Sequence, residues 1–251
     1  MNQEETKSYY SIDDVRASYN EDKADEERYG DWVAHYIYRP LSFQITPFFL
    51  RSGFSPSNVT FIALILVITL PFIAFWFPVA YLFVGLIAII ISVLDCVDGN
   101  IARVMGNSSK TGHYFDFLTD IICRVSLYLA IGIMIDQATD APDLFAGVAT
   151  EYLLIAALLA IVARMCRVYA SSELIETDKD GVQSDGRRDD GPSNWLDKYA
   201  FPFFSGLDWA LAFAIIILGS FGLLHWLLIW LLFYSMLDFL HTQYSIFSQL
   251  R

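Results

Sequence analysis

The sequence predicts an all-α, polytopic membrane protein with six transmembrane helices and an N-terminal amphipathic interfacial helix. The chain has 251 residues and is 55% hydrophobic, above the roughly 45–50% that average soluble chains reach. Its apolar residues form long runs almost free of charge, separated by short polar segments. This alternation is typical of chains that cross a bilayer several times.

Six apolar runs are each near or above the roughly 20 residues that a helix needs to span a bilayer. They cover residues 57–77, 79–104, 113–135, 146–171, 200–220 and 223–246. The turns after the first and fifth runs are very short. We therefore predict two tight antiparallel hairpins, one between the first two spans and one between the last two.

The basic residues predict the orientation of the spans. With the N-terminus in the cytosol, the outer connections are about 77–79, 136–146 and 220–223, and none of them contains Lys or Arg. All sixteen basic residues then fall on the cytosolic side or in the cytosolic half of a helix, as the positive-inside rule requires. We expect a protein of the plasma or inner membrane of a prokaryote.

The chain divides into three segments. Residues 1–31 form an acidic cytosolic tail, predicted to be regulatory or disordered, and residues 53–251 hold the six spans. Between them, residues 32–52 predict an amphipathic juxtamembrane helix on the cytosolic leaflet. Its apolar side chains fall on one helical face: Leu41, Ile45, Phe48 and Phe49. Pro40 suits a first helical turn, whereas Pro47 leaves an irregular linker as the alternative.

The net charge of −12 argues against one class of partner. Most of the surplus lies in two polar segments, because residues 1–31 carry a net −6 and residues 173–198 a net −4. So acidic a chain is not expected to bind nucleic acid. The three cysteines show no CxxC or CxxH spacing, so neither a disulfide framework nor a zinc site is indicated.

Four carboxylates lie within the predicted spans, where charged side chains are costly and usually functional. Asp95 and Asp98 lie near the inner end of the second span, and Asp116 and Asp120 near the inner start of the third. Spacings of three and four residues put each pair on one helix face. Because only the short loop 106–111 joins the two helices, the two pairs can face each other across a hairpin.

These four acids predict a metal centre, because close carboxylates repel unless cations lie between them. Carboxylate oxygens suit hard cations such as Mg²⁺ or Mn²⁺, and two such ions can clamp a diphosphate. Gly99 and Ala102 are small enough to let a ligand approach the backbone, and Arg103 adds a cation for phosphate. The alternative, four solvated acids at helix ends, fits poorly with two facing stripes interleaved with small residues.

The acids belong to one continuous pattern. Residues 95–103 read DCVDGNIAR and, after eight residues, 112–120 read GHYFDFLTD. Together they reproduce DxxDGxxAR(x8)GxxxDxxxD without a departure. The chain thus resembles the CDP-alcohol phosphotransferase family of integral membrane enzymes. The stretch from Arg39 to Thr60 is also similar to the family's entry into its first span.

The resemblance implies six helices, a site facing the cytosol, a centre of two Mg²⁺ or Mn²⁺ ions and a homodimer. It implies that Asp95, Asp98 and Asp116 bind metal, and that Asp120 is both a metal ligand and the general base for the acceptor hydroxyl. The residues implied in binding CDP, besides Asp95 and Asp98, are Gly99, Ala102, Arg103, Gly112 and, more weakly, Asn58. The partners implied are a CDP-linked donor, an alcohol acceptor and membrane lipids.

The motif does not choose between two substrate patterns of phospholipid biosynthesis. The donor is either CDP-diacylglycerol with a polar alcohol as acceptor, or a CDP-polar alcohol with a lipid or a polyol phosphate as acceptor. We favour CDP-diacylglycerol with an acceptor that carries a phosphate. The reason is a group of arginines near the inner third of the membrane that lack enough acids for full pairing: Arg124, Arg164 and Arg167. The alternatives are anchoring by snorkelling and pairing with Asp208 or Asp238.

A cation transporter that uses the same carboxylates is the prediction from another functional class. Transporters place their coupling sites near the bilayer midplane, often between repeats. Here the acids lie near the inner helix ends, and the sequence shows no repeat. The enzyme interpretation therefore accounts for more of the sequence. We expect residues 173–198 to connect two spans and His113 to make a polar contact at the membrane boundary.

Overall fold

The computed structural model describes residues 10–77, 79–106, 110–137 and 206–249, together with residues 155, 158, 159 and 161–163. The first four ranges are helical with no strand. In chain order the helices are α1 (Ile12–Ala17), α2 (Glu21–Gly30), α3 (Arg39–Arg51), α4 (Pro56–Trp76), α5 (Ala80–Met105), α6 (Lys110–Gln137), α7 (Leu211–Ser220) and α8 (Leu224–Gln249). A π-helical turn, Ala34–Tyr38, leads into α3.

Within the described ranges, four helices are long and apolar enough to cross a membrane: Pro56–Trp76, Ala80–Met105, Tyr114–Gln137 and Leu224–His241. They correspond to the first, second, third and sixth predicted spans, and they make this an integral membrane protein. The apolar helix α7 forms part of the fifth predicted span. The fourth, 146–171, lies almost entirely outside the described residues, so the count of six stays a prediction.

The bundle is built around α5. Helix α4 packs against both α5 and α6, and α7 packs along α5. Gly85 permits this last contact, because a Cβ there would overlap the side chain of Ile216 and lie 3.0 Å from the backbone oxygen of Ala212. A second apolar cluster joins the C-terminal part of α5 to the N-terminal helices through residues such as Val15, Val33 and Tyr38.

The acidic N-terminal segment is helical wherever the structure describes it. Ser11 and Asp14 form a capping box that begins α1, and Asn20 caps α2. Val15 and Glu27 are buried, so both helices pack against the bundle. The prediction of a disordered tail is therefore wrong for residues 12–30, because a few buried side chains fix helices whose other faces remain acidic and solvated.

The segment predicted to be amphipathic contains α3, which continues through Pro47. The irregular linker is therefore wrong for Arg39–Arg51. Its polar side chains Ser42 and Thr46 are buried against the bundle, whereas apolar residues point outward: Leu41, Ile45 and Phe48. The exposed face is thus apolar, unlike the exposed face of a helix in a soluble protein. The buried face combines the two hydroxyls with Leu50, and Phe49, predicted on the outward face, is half-buried against the same core.

Candidate active site

The site lies at the hairpin between α5 and α6. Helix α5 ends at Gly106, whose φ of 59° is left-handed, a conformation that glycine adopts without a steric cost. The chain turns there, and α6 begins at Lys110. This brings the first acid pair, on α5, opposite the second pair, on α6.

Three of the four predicted carboxylates come together across this hairpin. Asp95, Asp98 and Asp116 each offer an oxygen, and these oxygens all lie within 4.8 Å of one another. Asp98 is the most buried of the three, with 8% of its surface exposed. The prediction that the two pairs face each other is thus matched by the geometry for these three acids.

The three carboxylates fit a divalent cation. A Mg²⁺–oxygen bond is about 2.0–2.1 Å long, so two oxygens on opposite sides of one ion lie about 4 Å apart. Oxygens within 4.8 Å of one another therefore need only small side-chain movements to bind a shared ion. An all-carboxylate set also suits hard cations rather than zinc or copper.

Thr60 on α4 supports the buried member of the trio. Its hydroxyl lies 2.7 Å from Oδ2 of Asp98 and 3.1 Å from the backbone oxygen of Pro56. A hydroxyl has one proton to donate. The Asp98 carboxylate is both the closer and the stronger acceptor, so Thr60 donates to it. Sequence reasoning missed Thr60, because nothing in its local pattern distinguishes it from other hydroxyl residues in the first turns of a span.

A cavity of about 790 Å³ of empty space, including open solvent, surrounds the acids. All four predicted aspartates line it, together with residues from α4 and α6 and the chain before α7: Thr60, Thr119, Arg124, Tyr128, Asp208 and Trp209. The cavity thus joins the carboxylates on α5 and α6 to Asp208 and Trp209 in one continuous space.

Asp120 lines the same cavity beside Arg124 rather than inside the trio. Arg124 donates to Oδ2 of Asp120 at 3.0 Å and to Oδ2 of Asp208 at 3.4 Å. For Arg124, the predicted alternative of pairing with Asp208 is therefore the one that the structure contains. The contact spans 84 positions of sequence, so only the tertiary fold creates it.

Besides Asp95 and Asp98, the residues predicted for CDP are not among those that line the carboxylate cavity. Gly99, Ala102 and Arg103 occupy the last turns of α5, Gly112 lies in the first turn of α6, and Asn58 is exposed on α4. A Cβ added to Gly99 would meet only the Arg103 guanidinium, at 3.5 Å. Among the described residues, a flexible side chain rather than backbone therefore lies nearest to this face of Gly99.

The predictions for the acceptor side are only partly described. Asp238 is buried on α8. Arg164, Arg167 and the segment 173–198 lie outside the described residues, as does the side chain of His113.

A comparison with known protein families identifies the same family that the aspartate motif resembles. A family model described as CDP-alcohol phosphatidyltransferase matches residues 54–237, which include both acid pairs and all the helices from α4 to α7. No curated protein matches the chain. Members of this family are transferases of substituted phosphate groups, which decides against the cation transporter. The chain therefore belongs to the CDP-alcohol phosphatidyltransferase family, whose members transfer a phosphoryl-linked alcohol from a CDP-alcohol.

Proposed function

We propose that this protein transfers a phosphatidyl group from CDP-diacylglycerol to an alcohol acceptor and releases CMP, in a reaction that depends on two Mg²⁺ or Mn²⁺ ions. The observation that carries this proposal is the convergence of Asp95, Asp98 and Asp116 within 4.8 Å. Their cavity continues to Asp120 and Arg124, so metal ligands and a candidate base share one chamber.

The trio and Asp120 are proposed as the metal ligands. Bound divalent ions would neutralise the diphosphate and polarise the attacked phosphorus. The protein's own contribution is to hold the carboxylates in place, and Thr60 does this for Asp98. Gly99, Ala102, Arg103, Gly112 and Asn58 are proposed to form the CDP side of the site.

Asp120 is proposed as the general base for the acceptor hydroxyl. Its carboxylate is exposed to the cavity and held by Arg124 at 3.0 Å. The Arg124 guanidinium fixes the orientation of this carboxylate within the cavity. A base must lie within hydrogen-bond reach of the proton that it removes, and Asp120 lines the cavity next to the trio but outside it.

The acceptor is proposed to carry a phosphate. Within the described part of the chain, Arg124 already contacts two carboxylates. Its proposed share in the acceptor site is therefore to orient Asp120 and Asp208, while Arg164 and Arg167 bind the phosphate itself. Under this proposal Arg124 keeps its contacts with Asp120 and Asp208 throughout the reaction.

The site is proposed to face the cytosol, with α3 lying on the inner leaflet. Sixteen basic residues fall on that side under this orientation, and α3 turns Leu41, Ile45 and Phe48 outward. Apolar side chains on an exposed face suit insertion between lipid headgroups. The expected homodimer would present two such sites to the same leaflet.

The deciding experiment is a substrate panel with the purified full chain. Radiolabelled CDP-diacylglycerol, CDP-inositol and CDP-ethanolamine are each supplied with phosphorylated and unphosphorylated acceptors, with Mg²⁺ or with EDTA. We expect CMP release only with CDP-diacylglycerol, a phosphorylated acceptor and Mg²⁺. If CDP-inositol or CDP-ethanolamine supports turnover and CDP-diacylglycerol does not, the proposed donor is wrong. Full activity in EDTA would contradict the proposed metal dependence.

A further inference from the structure

A buried polar network ties the N-terminal helices to the last turns of α5. Its centre is Arg39, which is 7% exposed. Arg39 donates through Nε to Glu27 at 3.0 Å and makes a second, very short contact to the same carboxylate. Its other terminal nitrogen donates to the backbone oxygen of Cys96 and to Oδ1 of Asn100, each at 3.1 Å.

Asn100 links this network to Arg103. Its amide nitrogen donates to the hydroxyls of Ser42 and Thr46, at 2.9 and 3.1 Å. Both hydroxyls use their own protons on backbone oxygens of α3, so each can only accept from the amide. The amide oxygen therefore faces Arg39 and Arg103, and it accepts from Arg103 at 2.7 Å. Asn100 is fully buried and has all its hydrogen-bonding capacity in use.

Tyr19 is the second link to Arg103. The Arg39 and Arg103 guanidinium carbons lie 5.2 and 5.8 Å from the centroid of its ring, within the range of cation–π contacts. The Tyr19 hydroxyl donates to Glu27 at 2.8 Å. One aromatic ring and one amide oxygen thus hold two guanidinium groups side by side.

The negative charge of Glu27 offsets the repulsion between the two guanidinium groups in this network. Two neighbouring guanidinium groups repel, and Glu27, 3% exposed, supplies the negative charge that Arg39 contacts directly. Because Glu27 balances the charge of Arg39, Arg103 can remain hydrogen-bonded to Asn100 beside it. The Nε of Arg103 has no hydrogen bond within the described residues. Arg39 and Arg103 share the amide oxygen of Asn100, so without Glu27 the uncompensated charge of Arg39 would repel Arg103 from its place.

We propose that Glu27 and Tyr19, which precede the family-matched residues 54–237, are positioning residues that hold Arg103 in the geometry for binding the CDP moiety. This inference rests on the proposed place of Arg103 in the CDP site. The N-terminal helices thereby become part of the nucleotide site without touching the ligand.

The test is a double-mutant cycle between Glu27→Gln and Arg103→Ala, read by CMP binding to the full chain in detergent. Glu27→Gln keeps the shape of the side chain and removes its charge. We expect it to weaken CMP binding about tenfold, a coupling usual within one hydrogen-bond network. In the Arg103→Ala background the same change should have almost no further effect. The KM for the CDP-donor should rise with kcat unchanged.

Two further variants complete the cycle. Glu26→Gln is the matched control, because Glu26 is an exposed acid on the same helix, and it should bind CMP as the parent does. Tyr19→Leu removes the ring while leaving the buried ion pair, and it replaces Glu27→Gln in the cycle if that variant does not fold. Its effect should also vanish with Arg103→Ala.

Additive effects in the cycle would overturn the inference, because a merely structural role weakens binding whether or not Arg103 is present. This outcome differs from failure of the proposed function. That failure would appear as a parent protein that releases no CMP from any donor in the panel.

Discussion

Thr60 donates a 2.7 Å hydrogen bond to Oδ2 of Asp98, from one spanning helix to the next. A hydrogen bond to a metal ligand fixes the orientation of the ligand, and its loss usually costs about 10–100-fold in metal affinity or activity. We expect Thr60→Val, which keeps the side-chain shape, to raise the Mg²⁺ concentration needed for half-maximal CMP release by about tenfold. Thr69→Val is the control, because Thr69 on the same helix bonds only the backbone oxygen of Leu66. Equal Mg²⁺ requirements in the two variants would contradict a supporting role for Thr60.

Asp98→Asn should abolish most turnover while leaving the metal-free protein at least as stable as the parent. The three clustered carboxylates repel in the absence of cations, and neutralising one removes part of that repulsion. Thermal unfolding in EDTA measures the stability and CMP release measures turnover. Asp136→Asn, an exposed acid near the other end of α6, serves as the matched control. A large fall in the EDTA melting temperature of Asp98→Asn would mean that Asp98 is structural.

Asp120→Asn should lower turnover far more than CMP affinity. General bases typically contribute about 10²–10⁴-fold to rate, and Asp120 lies beside Arg124 rather than within the trio. Single-turnover rates and CMP titrations separate the two effects. Asp208→Asn removes the other carboxylate on Arg124 and should cost less turnover. Equal losses of affinity and rate in Asp120→Asn would identify a metal ligand only.

The docking of the N-terminal helices should weaken in acid. Burial alone would raise the pKa of Glu27, but hydrogen bonds and charge from Arg39 outweigh it, so the pKa lies below its ordinary value of 4.5. A depressed carboxyl pKa contributes stability above the unfolded-state value, and this contribution is lost as the pH falls through the folded value. Melting temperature should therefore fall more steeply below about pH 4.5 in the parent than in Glu27→Gln. Glu26→Gln should follow the parent, and parallel curves for all three would contradict the effect.

Single cysteines in a cysteine-free background should report the orientation. Asp140→Cys, in the predicted outer loop, should react with an impermeant reagent applied from outside. Ser108→Cys and Ser184→Cys should react only after the membrane is opened, because the positive-inside rule places both in the cytosol. The reverse labelling pattern would put the carboxylate cavity on the side away from cytosolic CDP-donors.

The sequence was most informative where contacts are local. Spacings of three and four residues along α5 and α6 were enough to predict the facing acids, since helix geometry converts spacing into direction. Thr60 and Asp98 are 38 positions apart, and Arg124 meets Asp208 across 84. Such pairs depend on helix packing. Glu27 stands among other acids of α2, and no feature of its neighbours marks it as the buried one.

The separation of Arg39 and Asn100 sets an order for biogenesis. These residues are 61 positions apart, so on the ribosome α3 emerges long before the helix that satisfies its buried polar side chains. During that interval Arg39 can already pair with Glu27, and Ser42 and Thr46 can donate within α3, but none of them has its partner on α5. The hydrogen bonds between Arg39 and α5 can form only after α5 has been translated. Packing of the N-terminal helices therefore follows synthesis of α5, the first helix of the hairpin that carries the four aspartates.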